Sequence, residues 1–124
     1  MTDTPSDLLD QATIDQLVDV VGQARMLPIL TDWAADLQRN LDTLETALAT
    51  ADQQQLADLA HPFASSSLQL GAAKLGNSVR ELEFMALEIE GRHWDADKAA
   101  TLFDECRKIA PASSAALIAA FNSP

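Results

Sequence analysis

The feature that most constrains the fold is a run of apolar residues spaced at helical steps in the first half of the chain. Six apolar side chains recur three or four residues apart, at Leu30, Trp33, Leu37, Leu41, Leu44 and Leu48. Because an α-helix turns about 100° per residue, this spacing places all six on one face. The pattern therefore predicts an amphipathic helix of about six turns, with Pro28 at its first helical position.

Similar stretches on both sides of this helix predict further helices. Thr13 and Gln16 form a capping box at the start of a short N-terminal helix that ends at Gly22, and a shorter turn is expected before it. Asp52 is a suitable N-cap for a third helix. A fourth helix is predicted to end before Gly91, since glycine commonly follows the last turn of a helix.

The rest of the chain completes an all-α pattern. Asp95 can cap a fifth helix, which Pro111 is expected to kink or break. No segment shows the alternation of apolar and polar residues that is typical of a strand. Four longer helices with short connections predict an up-down antiparallel four-helix bundle with an additional short N-terminal helix. Residues 1–6 are predicted to be a flexible tail, and residues 7–122 a single domain.

Length, charge and cysteine content restrict the partners. A chain of 124 residues can bury one hydrophobic core. The formal net charge of −11 argues against nucleic acids and anionic membrane surfaces, because both attract basic proteins. We find no signal-peptide pattern, and no apolar run approaches the roughly 18 residues of a membrane span. The single cysteine, Cys106, allows no internal disulfide and no cysteine-based metal site. We therefore expect a cytoplasmic monomer with neither nucleic-acid nor membrane partners.

His61 and Pro62 stand in the middle of the predicted third helix. On a helical wheel, His61 lies almost opposite the core side of that helix, which is formed by Leu56, Leu59, Phe63, Ser67 and Leu70. The predicted solvent face around His61 consists of Gln54, Ala57, Asp58, Ala64, Ser65 and Leu68. Most of these side chains are small, and Leu68 is apolar. This face therefore predicts an accessible imidazole beside a partner-docking surface built around Leu68.

The segment AHPFASSSLQLGAAKL, residues 60–75, resembles the signature of histidine-containing phosphotransfer (HPt) domains, commonly written A-H-x-L-K-G-S-S-x-x-x-G-A-x-x-L. The positions that match or keep the residue character are Ala60, His61, Phe63, Ser66, Ser67, Gly71, Ala72 and Leu75. Two positions depart from the signature, because Ala64 stands in place of the usual lysine and Ser65 in place of the usual glycine. The resemblance extends to the helix layout over about residues 8–121.

The resemblance implies that His61 is the phosphoacceptor of a relay. HPt domains pass a phosphoryl group to or from the aspartate of a response-regulator receiver domain, and sometimes accept it from a hybrid sensor histidine kinase. By the same resemblance, the receiver supplies magnesium, a lysine and acidic residues, so this chain would need no cofactor or metal of its own. The chain has no glycine-rich nucleotide loop. We therefore expect a phosphocarrier and not a self-sufficient enzyme.

Other functions receive less support from the residues. The serines at 65–67 lack a G-x-S-x-G nucleophile elbow, and His61 and His93, 32 residues apart, lack metal-ligand spacing. Cys106 falls in the apolar stripe of the fifth helix, as a small buried hydrophobe would. The missing lysine and the proline beside His61 leave one alternative open. In that alternative the chain is an HPt-like helical adaptor, which binds a signalling partner without accepting phosphate.

Pro62 has no amide hydrogen, so the carbonyl of Asp58 would lose its helical partner. The third helix could continue through Pro62 with a kink, or it could restart there and place His61 near a helix N-terminus. The apolar stripe keeps one phase from Leu56 to Leu70, which favours continuation.

Overall fold

The computed structural model describes residues 5–122, and over this range the chain consists of helices and short connections, with no strand. Four long helices follow two short ones: α1 (Pro5–Leu8), α2 (Gln11–Val20), α3 (Gln23–Ala49), α4 (Gln53–Leu70), α5 (Ala73–Leu87) and α6 (Ala96–Asn122). Consecutive long helices pack against each other, and α6 packs back on α3 to close the bundle. The predicted all-α bundle is confirmed.

The N-terminal tail predicted for residues 1–6 falls partly outside the described residues, which exclude 1–4. Residues 5 and 6 belong to α1, so the helical part of the chain starts two residues earlier than predicted. Among the described helices, none is both long and apolar enough to cross a lipid bilayer.

The apolar stripe of α3 forms one wall of the core. Leu30, Leu37 and Leu44 are buried, and Trp33 beside them donates a hydrogen bond from Nε1 to Ser67 Oγ on α4, at 3.3 Å. The Ser67 hydroxyl in turn donates to the carbonyl of Phe63, at 2.8 Å. Each buried leucine contributes about 1.5–3 kcal/mol to the free energy of unfolding. Ser67 therefore lies inside the bundle with its polar group satisfied.

Two predicted helix starts are wrong. The third helix of the structure, α3, begins at Gln23, so Pro28 lies inside it and not at its first position. The apolar stripe explains the difference, because Met26, one turn before Leu30, is also buried. Similarly, α2 is capped by Asp10 and not by Thr13: the Thr13 amide and hydroxyl donate to the Asp10 carboxylate at 3.3 and 2.8 Å. The hydrogen bond from the Thr13 side chain lowers the pKa of Asp10.

The other predicted caps are confirmed, and one predicted break is absent. Asp52 accepts a hydrogen bond from the Gln55 amide at 3.0 Å, and Asp95 accepts one from the Lys98 amide at 3.1 Å. Pro111 is exposed and lies inside α6, which continues through it without interruption. The helix predicted as the fourth corresponds to α5, which ends at Leu87, before Gly91 as predicted.

The hairpin of α4 and α5 is the most closely packed pair of helices. Gly71 ends α4 with a φ of 100°, and a Cβ atom there would lie 3.0 Å from Ile14 Cγ1. A Cβ atom on Gly76 would lie 2.6 Å from Leu68 Cγ, a distance that real Cβ atoms do not tolerate. The absence of a side chain at Gly76 therefore lets Leu68 sit directly against the backbone of α5.

Pro62 lies inside α4, which runs without a break from Gln53 to Leu70. Continuation through the proline is therefore correct, and a helix restart at Pro62 is not. The ring of Pro62 is exposed, so the neighbouring helices do not enclose it. In this position the proline leaves the Asp58 carbonyl without its helical amide donor.

We expect Pro62→Ala to raise the free energy of unfolding by about 1–3 kcal/mol, because it restores the missing hydrogen bond inside a continuous helix. Urea unfolding followed by circular dichroism measures the change. Pro111→Ala is the matched comparison, since Pro111 is also exposed inside a long helix, and it should stabilise in the same direction. A lower stability of Pro62→Ala would contradict this account of the helix.

Candidate functional site at His61 between helices α4 and α5

His61 projects from the middle of α4 towards α5, and 63% of its side chain is exposed. Its Nδ1 atom lies 2.8 Å from Glu83 Oε2 on α5. The other ring nitrogen, Nε2, has no hydrogen bond with the described residues. The imidazole is therefore held on one side by α5 and open to solvent on the other.

Glu83 is almost completely buried, with 8% of its side chain exposed, and its charge is paired. Arg80 Nη1 donates to Glu83 Oε1 at 2.9 Å, one turn earlier on the same helix. Arg80 Nη2 donates to Ser65 Oγ on α4 at 3.0 Å. Arg80 Nη1 also lies 3.2 Å from His61 Nδ1. Four side chains from two helices thus form one polar cluster.

The contacts of Nδ1 determine where the ring carries its proton when it is neutral. An ionised carboxylate only accepts hydrogen bonds, so the 2.8 Å contact with Glu83 requires a hydrogen on Nδ1. If Nδ1 instead accepted a bond from Arg80, its lone pair would face the Glu83 oxygen. The neutral ring therefore carries its hydrogen on Nδ1, and its lone pair is on the exposed Nε2.

The structure corrects the predicted docking surface. Ala57 and Ala64 are buried and not exposed, and Leu68 is half-buried against Gly76. Gln54 and Asp58 are exposed as predicted and hydrogen-bonded to each other at 2.9 Å, and Ser65 is half-buried beside Arg80. A helical wheel with a single apolar stripe predicts one buried face. In the structure α4 packs against α3 on one side and against α5 on the other, so a second strip of the α4 surface is also buried.

Arg80 and Glu83 were not identified from the sequence. The short turn at Gly71 and Ala72 is the sequence feature from which they could have been predicted. In an antiparallel helix hairpin, residues at similar distances from the turn lie opposite each other. His61 is 10 residues before Gly71, whereas Arg80 and Glu83 are 9 and 12 residues after it. A glutamate at a position flanked by the apolar residues of α5 was the second indication.

The other candidate groups remain outside this cluster. The Arg92 guanidinium binds both carboxylate oxygens of Glu81 and lies 5.6 Å from the centre of the Phe84 ring. His93 is exposed in the connection between α5 and α6. Among the described residues, no three potential ligands are close enough to hold a metal ion. Burial raises the pKa of the Cys106 thiol to about 12, so it is an unreactive core side chain.

We expect Glu83→Gln to lower the free energy of unfolding by about 1–3 kcal/mol, because it leaves the Arg80 guanidinium and the Nδ1 hydrogen without a charged acceptor. Urea unfolding measures the loss. Glu81→Gln is the matched control on the same helix, and the loss of its more exposed pair with Arg92 should lower the free energy of unfolding less than Glu83→Gln does. Equal losses in the two variants would contradict a special role for the buried carboxylate.

Comparisons with known proteins identify the family and the fold of the chain. The family model of the Hpt domain matches residues 28–117. The structure is similar to the crystal structure of histidine-containing phosphotransfer protein B (HptB) from Pseudomonas aeruginosa PAO1, with a TM-score of 0.74 and 24% sequence identity, over 89% of this chain and 90% of that chain. That likeness shows a common fold. No curated protein sequence matches the chain closely enough to add another relative. The chain belongs to the Hpt domain family, the histidine phosphotransfer proteins of two-component phosphorelays.

Proposed function

We propose that this chain carries a phosphoryl group on Nε2 of His61 and exchanges it with the aspartate of a response-regulator receiver domain. The observation that supports the proposal is the hydrogen bond between Nδ1 and Glu83, which leaves the Nε2 lone pair exposed. A neutral imidazole nitrogen is a good nucleophile near pH 7. His61 is held on a helix rather than on a flexible loop, so the nucleophile is positioned before the partner arrives.

The transfer needs no external base, because no proton has to be removed from the ring. The Nε2 lone pair attacks the phosphorus of the aspartyl phosphate, the bond from phosphorus to the carboxylate oxygen breaks, and the electron pair leaves with the aspartate. Because Nδ1 keeps its hydrogen, the phosphorylated ring is an imidazolium whose positive charge faces Glu83. The reverse reaction breaks the P–N bond and returns the lone pair to Nε2. Glu83 thus stabilises the charge that forms on the ring during transfer.

Hpt proteins act as phosphocarriers that interact with receiver and kinase domains. For this chain we expect no catalysis without a partner and no cofactor of its own, with magnesium bound by the receiver. Phosphoryl transfer depends mainly on positioning and on neutralising the charge of the moving group, and the receiver pocket would supply both. A monomeric state, a cytoplasmic location and the lack of nucleic-acid or membrane partners remain predictions from the sequence.

The surface that would meet the receiver is formed by both helices of the hairpin. We define this α4–α5 surface by the side chains that flank His61, namely Gln54, Asp58, Ser65, Arg80, Phe84 and Leu87. Arg80, Phe84 and Leu87 repeat at helical steps on α5, and Leu87 follows by one turn Glu83, which contacts the imidazole. Leu87 is 38% exposed, the most exposed large apolar side chain of this surface. It takes the place of Leu68 as the expected apolar contact, because Leu68 packs inside the hairpin.

We expect His61→Gln to abolish labelling by a phosphorylated receiver and His93→Gln to leave it intact. The measurement is transfer of radioactive phosphate from the receiver to the full chain with magnesium present. The label should be lost in acid, as a phosphohistidine is. Removing magnesium with a chelator should stop transfer from the receiver.

Labelling that persists in His61→Gln would contradict the assignment of the phosphoacceptor. If the wild-type chain binds receivers but is labelled by none of them, the chain is instead the HPt-like helical adaptor. The absence of the usual lysine and the presence of Pro62 favour this second function, and the same experiment decides between the two.

We expect Leu87→Asp to weaken receiver binding by more than about 1 kcal/mol, the scale of a residue that is important in an interface. Titration calorimetry measures the affinity. The control is Val20→Asp, because Val20 is 77% exposed on α2, outside the α4–α5 surface. Equal affinities of Leu87→Asp and the wild type would place the docking surface elsewhere.

A further inference from the structure

We propose that Arg80 is a positioning and charge-compensating residue of His61, and that it provides from α5 the positive charge that α4 lacks. This inference rests on the proposed function of His61 and concerns how the chain keeps that imidazole reactive. Arg80 touches three groups: the Glu83 carboxylate at 2.9 Å, the Ser65 hydroxyl at 3.0 Å and the His61 ring at 3.2 Å. None of these contacts involves the exposed Nε2.

The buried carboxylate of Glu83 has two opposite effects on the imidazole. It holds the hydrogen on Nδ1, which leaves Nε2 free to react. An ionised carboxylate also favours a doubly protonated, positively charged imidazole, which has no free lone pair. The same negative charge would repel an incoming phosphoryl group. Glu83 therefore orients the ring usefully only if its charge is balanced by another group.

Arg80 is placed to balance it. Its guanidinium pairs with the carboxylate oxygen that His61 does not use, so each oxygen of Glu83 has its own partner. Only 22% of the Arg80 side chain is exposed, which limits screening of the pair by water. On α4 the nearest charged side chain is Asp58, one turn before His61, which is negative and bound to Gln54. Of the charged side chains in contact with the ring, Arg80 is the cation and Glu83 the anion.

Both departures from the HPt signature agree with this role. Ala64 occupies the position of the usual lysine and is completely buried, so a cation there would have to enter the core of the hairpin. Ser65 occupies the position of the usual glycine, and its hydroxyl accepts the hydrogen bond from Arg80 Nη2. The two substitutions thus fit one arrangement, in which the cation comes from α5 and a hydroxyl on α4 fixes its position.

The test follows the ring nitrogens by ¹⁵N NMR in the full chain. The chain contains two histidines, so a His93→Gln background leaves His61 as the only imidazole. In that background we expect the neutral ring of otherwise wild-type protein to carry its hydrogen on Nδ1. Arg80→Gln should increase the ratio of charged to neutral ring at pH 7 on the order of tenfold, because Glu83 then acts on the ring without a counter-charge.

Labelling by phosphoramidate, a small phosphoryl donor, gives a second readout that needs no receiver. Arg80→Gln should slow labelling of His61 at pH 7 several-fold, and the loss should shrink as the pH rises and the neutral ring returns. Arg80→Lys, which keeps the charge, should label within roughly threefold of the wild type. Ser65→Ala removes only the hydroxyl that holds Arg80. It should change the charged-to-neutral ratio and the labelling rate in the same direction as Arg80→Gln, but by a smaller factor.

The control for net charge is Arg39→Gln, because Arg39 is an exposed residue of α3 paired with Asp36. It should leave both readouts unchanged. A charged-to-neutral ratio in Arg80→Gln equal to that of the wild type would overturn the proposal. A loss of labelling that is the same at every pH, or that Arg80→Lys does not repair, would overturn it as well, since a purely structural role predicts those results. If phosphoramidate labels His61 and receivers do not, the proposed relay function fails while the role of Arg80 stands.

Discussion

The close contact between α4 and α5 at Gly76 is the constraint on which the site depends. His61 and Ser65 come from one helix, whereas Arg80 and Glu83 come from the other. Their hydrogen bonds of 2.8 to 3.0 Å form only at one separation and one register of the two helices. The missing Cβ at Gly76 sets the separation, and the tight turn at Gly71 sets the register. A packing contact without any polar group thus determines the geometry of the polar cluster.

The buried carboxylate shows how stability and function share the same contacts. An unpaired charge at the position of Glu83 would cost several kcal/mol, because the interior solvates ions poorly. Arg80 and the Nδ1 hydrogen of His61 each satisfy one carboxylate oxygen, so the charge is tolerated. The contacts that make Glu83 tolerable also fix the imidazole and leave its second nitrogen open. No separate device is needed to orient the nucleophile.

The sequence predicted the long helices because their cores consist of apolar residues at regular helical steps. It also predicted the caps at Asp52 and Asp95, since those hydrogen bonds are local. Prediction from the sequence failed where contacts between helices determine where a helix begins. The local pattern predicts a helix start at Pro28, but burial of Met26 extends α3 backwards to Gln23.

The same limit applies to the site. His61 was found because it lies within a recognisable local motif and opposite an apolar stripe. The wheel predicts that Ala57 and Ala64 are exposed, because it cannot show that a second neighbouring helix covers this side of α4. Arg80 and Glu83 were missed because their relation to His61 exists only after α4 and α5 have packed together. Local patterns therefore predict which residue can react, and the packing of neighbouring helices determines which residues control it.

The acidity of the chain makes the local balance around His61 important. A protein with a formal net charge of −11 would be a poor carrier of an anionic group if all of its charges acted on that group equally. At physiological ionic strength, however, exposed charges are screened beyond a distance of about 8 Å. Groups that touch the ring are screened least, and there the Glu83 carboxylate is matched by the Arg80 guanidinium. The phosphoryl group would therefore meet a nearly neutral cluster, although the rest of the surface is strongly acidic.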